Sequence, residues 1–145
     1  MFRRVLFRSH QEKYFREPRE EPIAIEWIDV TVNGQKPSAD NTLGEMGVRI
    51  QIAQFTDDRT GEDAAAGWRG DRYVCYDGGR GFAWKTAWAS EADAAEFVAA
   101  ENKVIAARKD RAARRVELKQ SGVSVLLIDA ADDAWAAALA EKFSR

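Results

Sequence analysis

Two short runs of aromatic and β-branched residues, separated by a glycine-rich loop, constrain the fold of this 145-residue chain more than any other feature. The runs are residues 71–76 and 82–88, and the loop between them is Asp77-Gly78-Gly79-Arg80-Gly81. Such runs favour strands, and a glycine-rich loop joining two of them predicts a β-hairpin. Because a hairpin pairs its strands antiparallel, we expect an antiparallel sheet.

Two further segments predict additional strands. Residues 116–118 and 123–128 predict a second hairpin through Ser121 and Gly122, and the nearly continuous apolar run 123–128 places that strand centrally in the sheet. Residues 23–32 largely alternate apolar and polar side chains, which predicts a strand that ends at an Asn33-Gly34 turn. Trp27 disturbs the alternation, which leaves a bulge or a change of register open.

Helical patterns occupy much of the remaining sequence. We predict helices over 42–55, 60–68 and 90–114 and a last helix capped by Asp129. Three of them open with the spacing of a capping box, at Thr42 and Glu45, Thr60 and Asp63, and Ser90 and Asp93. The stripes expected to be buried are Leu43, Met46, Ile50 and Ala53 in the first helix and Trp135, Ala138, Leu139 and Phe143 in the last.

These elements predict an α+β fold with a single antiparallel β-sheet built from hairpins and helices packed mainly on one face. We interpret residues 1–9 as a non-native leader, because arginines interrupt their few apolar residues and the string resembles translated adaptor sequence. Residues 10–22 are expected to form an extended lead-in, and residues 23–145 a single domain.

Composition argues against several classes of function. The net charge of −2 argues against nucleic acid as a partner, and no apolar run approaches the roughly 18 residues of a membrane span. One His and one Cys predict neither a metal site nor a disulfide, and we expect no cofactor. A helix dipole explains the basic cluster expected at the end of the long helix, which comprises Lys109, Arg111, Arg114 and Arg115.

The two residues best suited to nucleophilic or general-base chemistry have plain structural interpretations. Cys75 lies in the middle of a predicted strand with no base nearby in the sequence, which favours a buried thiol. His10 lies in the lead-in, where a solvated side chain is expected.

Five tryptophans invite a ligand-binding interpretation. An aromatic pocket could form near Trp68, Asp71, Arg72 and Trp88, although aromatic residues at strand spacing usually belong to a core. A third possibility gives Asp71 the role of general base beside Arg72, but the sequence shows no partner for it.

Several stretches occur in a familiar order. They are His10-Gln11-Glu12-Lys13-Tyr14, Glu21-Pro22, Asn41-Thr42-Leu43-Gly44-Glu45, Gly67-Trp68-Arg69-Gly70-Asp71-Arg72-Tyr73, Trp84, Trp88 and Ser90-Glu91-Ala92-Asp93-Ala94. Over residues 10–100 the chain resembles the C-terminal half of a family of uncharacterised bacterial proteins that look like zinc metallopeptidases. The sequence departs from that family at Gln11, where Pro is usual, and at Arg69, where Gly is usual.

The resemblance implies a parent protein whose His-Glu-x-x-His helix lies upstream, in a half that this sequence lacks. No catalytic residue can therefore be carried over. We expect a non-catalytic C-terminal domain, structural, substrate-binding or regulatory, present as a fragment whose partner is the missing N-terminal half. The resemblance also implies an extracytoplasmic parent. The alternative is a stand-alone module that binds a small ligand or a protein through the aromatic pocket.

Overall fold

The computed structural model describes residues 21–144, which form a five-stranded antiparallel sheet and four α-helices. The strands are β1 (Ala39–Asn41), β2 (Trp68–Tyr76), β3 (Gly81–Trp88), β4 (Arg115–Ser121) and β5 (Ser124–Ala130). The helices are α1 (Gly44–Phe55), α2 (Asp58–Ala65), α3 (Glu91–Ala107) and α4 (Asp133–Phe143). The strand order is β1-β2-β3-β5-β4, which confirms the predicted α+β class.

Both predicted hairpins are present, as β2–β3 and β4–β5. The first turns through Asp77, Gly78 and Gly79, all with positive φ, a conformation that glycine adopts at little cost. Strand β5 lies between β3 and β4, so the run 123–128 is central as predicted.

Successive side chains along a strand point to opposite faces of the sheet, and each face carries its own core. On the front face α1, α2 and α3 cover the sheet, and their buried residues surround Trp84, Trp88 and Phe97. On the back face α4 and part of residues 27–32 pack over Tyr76 and Ile128. Three of the four helices in the described residues thus share one face.

The predicted strand over residues 23–32 is wrong. The segment has no regular secondary structure, and Val32 makes only an isolated bridge to Gln35 around the Asn33-Gly34 turn. Three of its apolar residues, Trp27, Val30 and Val32, pack on the back face, and the Trp27 ring lies 4.5 Å from that of Phe143. Ile28, by contrast, is fully exposed. The first strand is the short, polar β1, which carried no apolar alternation.

The predicted buried stripe of α1 is also wrong. The helix buries Val48 and Ile52, whereas Leu43, Met46 and Ile50 are exposed. Apolar residues occur on both sides of this helix, so its periodicity could not determine which side faces the sheet.

The capping box that opens α3 is confirmed. The Ser90 hydroxyl accepts a hydrogen bond from the Asp93 amide at 3.1 Å and donates one to the Asp93 carboxylate at 2.9 Å. The helix ends at Ala107, well before the predicted Arg114, because Arg108 already has an extended backbone.

Two other predicted caps are wrong. Asp57 caps α2 in place of Thr60, and Asp132 caps α4 in place of Asp129. Each aspartate accepts a hydrogen bond from the backbone amide three residues later, the usual geometry of an N-cap. Trp135, Leu139 and Phe143 are buried on α4 as predicted, while Ala138 is half-buried.

Candidate functional site

Asp71, the centre of the predicted pocket, lies buried beneath the N-terminus of α1. Its Oδ1 accepts hydrogen bonds from the Gly44 amide at 2.9 Å and the Trp68 indole at 3.0 Å. Its Oδ2 accepts from the Leu43 amide at 2.8 Å and the Trp84 indole at 3.0 Å. A helix N-terminus has unpaired N–H groups and partial positive charge, so a carboxylate stabilises it. Asp71 therefore anchors α1 to the sheet, a structural role that occupies both of its oxygens.

This anchor replaces the predicted capping box of α1. The Thr42 hydroxyl donates to the backbone carbonyl of Asp71 at 3.1 Å instead of capping the helix, and Leu43 at the N-cap makes no side-chain cap. The cap of α1 thus comes from a strand nearly thirty residues away in sequence.

Trp88 belongs to the front core. Its indole donates to the Thr86 hydroxyl at 2.8 Å, and its ring stacks on Phe97 with centroids 4.7 Å apart. Trp68 is its cross-strand partner and is also buried. Both indoles are enclosed by neighbouring side chains.

Arg72 lies on the opposite face of β2 from Asp71. Its guanidinium makes two hydrogen bonds to the Asp40 carboxylate, at 2.8 and 2.7 Å, and donates to the carbonyls of Ile25 and Trp27. The hydrogen bonds with Arg72 lower the pKa of Asp40, and in return the pKa of Arg72 is raised. Arg72 thereby fastens residues 25–27 to the edge of the sheet.

The four predicted ligand-binding residues therefore do not line one pocket. Trp68 and Asp71 are joined by a hydrogen bond, Trp88 is enclosed with Phe97, and Arg72 faces the other side of the sheet. The structure gives each side chain a packing or bonding role of its own.

The remaining candidates for catalysis are Cys75 and His10. Cys75 is partly buried, not fully buried as predicted, and burial raises the pKa of its thiol, which reduces its thiolate fraction. His10 lies outside the described residues. Within residues 21–144 no group of three His, Cys, Asp or Glu side chains could hold a metal ion.

A buried carboxyl that sequence reasoning missed lies between α1 and α3. Glu101 is 2% exposed, and its Oε1 accepts a hydrogen bond from Gln51 Nε2 at 2.9 Å. Its Oε2 and Gln51 Oε1 are buried and have no hydrogen-bond partner in the described part of the chain. Burial raises the pKa of Glu101 to about 7, against the lowering effects of Gln51 and Arg108. The only sequence indication was a Glu that interrupts an apolar stripe.

The basic cluster predicted at the end of the long helix lies beyond α3, which ends at Ala107 with no basic residue in its last turn, so the helix-dipole explanation is wrong. Two members of the cluster are ion-paired instead. Arg114 reaches Asp129 at 2.7 Å, and Arg115 reaches Asp133 at 2.6 Å. Asp129 is not the helix cap that was predicted; it pairs with Arg108 at 2.8 Å as well as with Arg114. These pairs tie the start of β4 to β5 and α4.

The fold and these contacts define a small α+β domain with a helix-covered front face. Residues 31–140 match the model of a family described as a domain of unknown function, DUF8575, and the chain belongs to this family. No curated protein and no solved structure matches the chain. No helix of the described residues is both long and apolar enough to cross a membrane.

Proposed function

We propose that this chain is a non-catalytic domain of a larger, metallopeptidase-like protein and that it packs against the upstream half of that protein through the outer face of α1. The observation that carries the proposal is the exposure of this face. Met46 is 61% exposed, Ile50 is 51% exposed and Leu43 is 37% exposed.

These three side chains form one continuous surface, which we call the α1 stripe. Residues three and four apart are neighbours on a helix, so positions 43, 46 and 50 follow one another along one side. The Leu43 side chain lies over Gly47, where an added Cβ would meet its Cγ at 2.6 Å. Leu43 therefore packs against the helix on the side where Met46 and Ile50 lie.

An apolar stripe of this kind favours a protein partner. Single exposed apolar residues are ordinary, but contiguous exposed patches mark interaction surfaces. Covering the half-exposed side chains of Met46 and Ile50 would contribute about 1 kcal/mol each to association. We assign the partner as an apolar surface of the upstream half, because the resemblance implies such a half.

The proposed non-catalytic role is supported by the position of Asp71. The acid best placed by sequence to act as a base is committed to holding the N-terminus of α1. The same bonds hold the α1 stripe in place, so the domain presents a preformed surface.

Site-specific cross-linking tests the proposed partner. A photo-reactive residue at position 46 of the full-length parent should cross-link to the upstream half, whereas one at the exposed Lys103 on α3 should not. When the photo-reactive residue is placed at position 50, the Met46→Lys substitution should abolish its cross-linking to the upstream half. Equal cross-linking from positions 46 and 103, or a dimer of this chain that the Met46→Lys substitution dissociates, would overturn the assignment.

A separate measurement tests the non-catalytic role. The isolated chain should contain no stoichiometric zinc and should not hydrolyse peptides. The upstream half should bind zinc and hydrolyse peptides. Zinc-dependent peptidase activity in the isolated chain contradicts this role.

A further inference from the structure

An open cavity of about 200 Å³ lies on the back face of the sheet, in the part that α4 leaves uncovered. Strands β3, β4 and β5 form its floor, and the end of α4 forms one wall. Its lining residues are Lys85, Lys119, Ser121, Ser124, Leu126, Phe143 and Ser144.

The strand register places the two lysines on either side of Leu126. Lys85 on β3 is the partner of Leu126, and Leu126 is the partner of Lys119 on β4. Side chains of paired residues share a face, and neighbouring strands are about 4.8 Å apart, so the two lysine stems rise about 10 Å from each other. Both ammonium groups can therefore reach a ligand above Leu126.

The cavity is basic although the whole chain is slightly acidic. The sequence has 24 acidic and 22 basic residues, yet no acidic side chain among residues 21–144 lines the cavity. Among the ion pairs of residues 21–144, none involves Lys85 or Lys119. Glu117 lies two residues before Lys119 on the same face of β4 but outside the lining. The two lysines give this part of the back face a local positive charge, which would attract an anion.

The other lining groups define the rest of the ligand. The hydroxyls of Ser121 and Ser124 lie on paired positions of β4 and β5 and can donate to an anionic oxygen. Leu126 and Phe143 supply an apolar surface. A cavity of about 150 Å³ holds a benzene molecule, so this cavity has room for a ring-sized apolar group that carries one anionic substituent.

We propose that this cavity binds a small organic anion, a carboxylate or a phosphate ester with a compact apolar group, between Lys85 and Lys119. The site is independent of the α1 stripe, which lies on the front side of the sheet. Charge-assisted hydrogen bonds from the two lysines hold the anionic group, and Phe143 contacts the apolar group.

Titration of the full chain with benzoate, phenyl phosphate and the neutral benzyl alcohol tests the proposal, with amide chemical shifts as the readout. Both anions should bind and shift residues 85, 119, 124 and 126, and benzyl alcohol should bind at least tenfold more weakly. The tighter of the two anions identifies the carboxylate or the phosphate ester as the natural class. Binding weaker than about 10 mM for both anions, or shifts confined to other regions, would overturn the proposal.

Matched variants separate the site from general charge effects. Lys85→Met and Lys119→Met keep the apolar stem and should each weaken anion binding about tenfold, the effect of one charge-assisted hydrogen bond. Lys109→Met removes an exposed lysine outside the cavity and should leave binding unchanged. If all three variants bind alike while keeping the parental melting temperature, the two cavity lysines do not form the site.

Discussion

Replacing Asp71 by asparagine should destabilise the domain strongly, because four donors converge on its two oxygens. Each oxygen accepts one backbone amide of α1 and one indole. An asparagine amide keeps one of these oxygens and presents an NH₂ group to the other two donors. In either orientation of that amide, one backbone bond and one indole bond are lost.

The magnitude follows from the charge on the acceptor. A hydrogen bond to a charged group contributes about 1.5–3 kcal/mol, so losing two should lower the free energy of unfolding by about 3–6 kcal/mol. Domains of this size are stable by about 5–15 kcal/mol, and Asp71→Asn therefore removes a large part of the total. A surface aspartate such as Asp63 provides the control, because Asp63→Asn should change stability by less than about 0.5 kcal/mol.

Urea unfolding followed by tryptophan fluorescence measures the effect on stability. Hydrogen exchange shows where the structure is weakened, since the amides of Leu43 and Gly44 should lose protection before the rest of α1. A loss of stability below about 1 kcal/mol, with both amides still protected, would show that the Asp71 carboxylate does not hold the helix.

Three further substitutions test other contacts. Glu101→Gln should make the domain more stable than the parent above pH 7 by roughly 3 kcal/mol, measured by urea unfolding, because the amide can donate to Gln51 without titrating. In the parent, the neutral Glu101 carboxyl is fully tolerated below pH 4.5, the ordinary pKa of a glutamate, and the stability of the domain should fall as the pH rises from there through about 7. A parental stability that does not fall over this pH range contradicts the raised pKa of Glu101. Arg72→Lys keeps the charge but loses the paired bonds to Asp40, so stability should fall by about 1–2 kcal/mol and protease cleavage within 23–32 should accelerate. Unchanged cleavage rates would show that Arg72 does not hold residues 25–27 to the sheet. Gly70→Ala would place a methyl group against the Ile23 carbonyl and should expose residues 21–25 to hydrogen exchange. Gly78→Ala strains the turn at its φ of 62°, but its methyl group would meet no described atom within 4 Å, so residues 21–25 should stay protected.

Local patterns in the sequence predicted the hairpins and the cap of α3. The β2–β3 hairpin depends on residues within a few positions of its turn, and Ser90 with Asp93 forms a cap without help from elsewhere. Such features are encoded by neighbouring residues, so the sequence alone is enough to predict them.

Features that depend on distant partners were not predictable in this way. The alternation in residues 23–32 is typical of a strand, yet Arg72 and Phe143 hold this segment across the sheet without strand pairing. The orientation of α1 is set by Asp71, whose four donors come from three separate segments of the chain. The Lys85–Lys119 cavity exists because β5 lies between β3 and β4, and patterns in the sequence do not determine this strand order.

The order of strands also determines how this domain meets other β-structures. Within residues 21–144 the edge strands are β1, which has three residues, and β4, which carries the exposed, charged side chains of Arg115, Glu117 and Lys119. Short edges and edge charges discourage another strand from adding to a sheet, which protects a protein against edge-to-edge aggregation. Partners of this domain should therefore bind to side-chain surfaces, and high concentrations of the domain should remain free of β-rich aggregates.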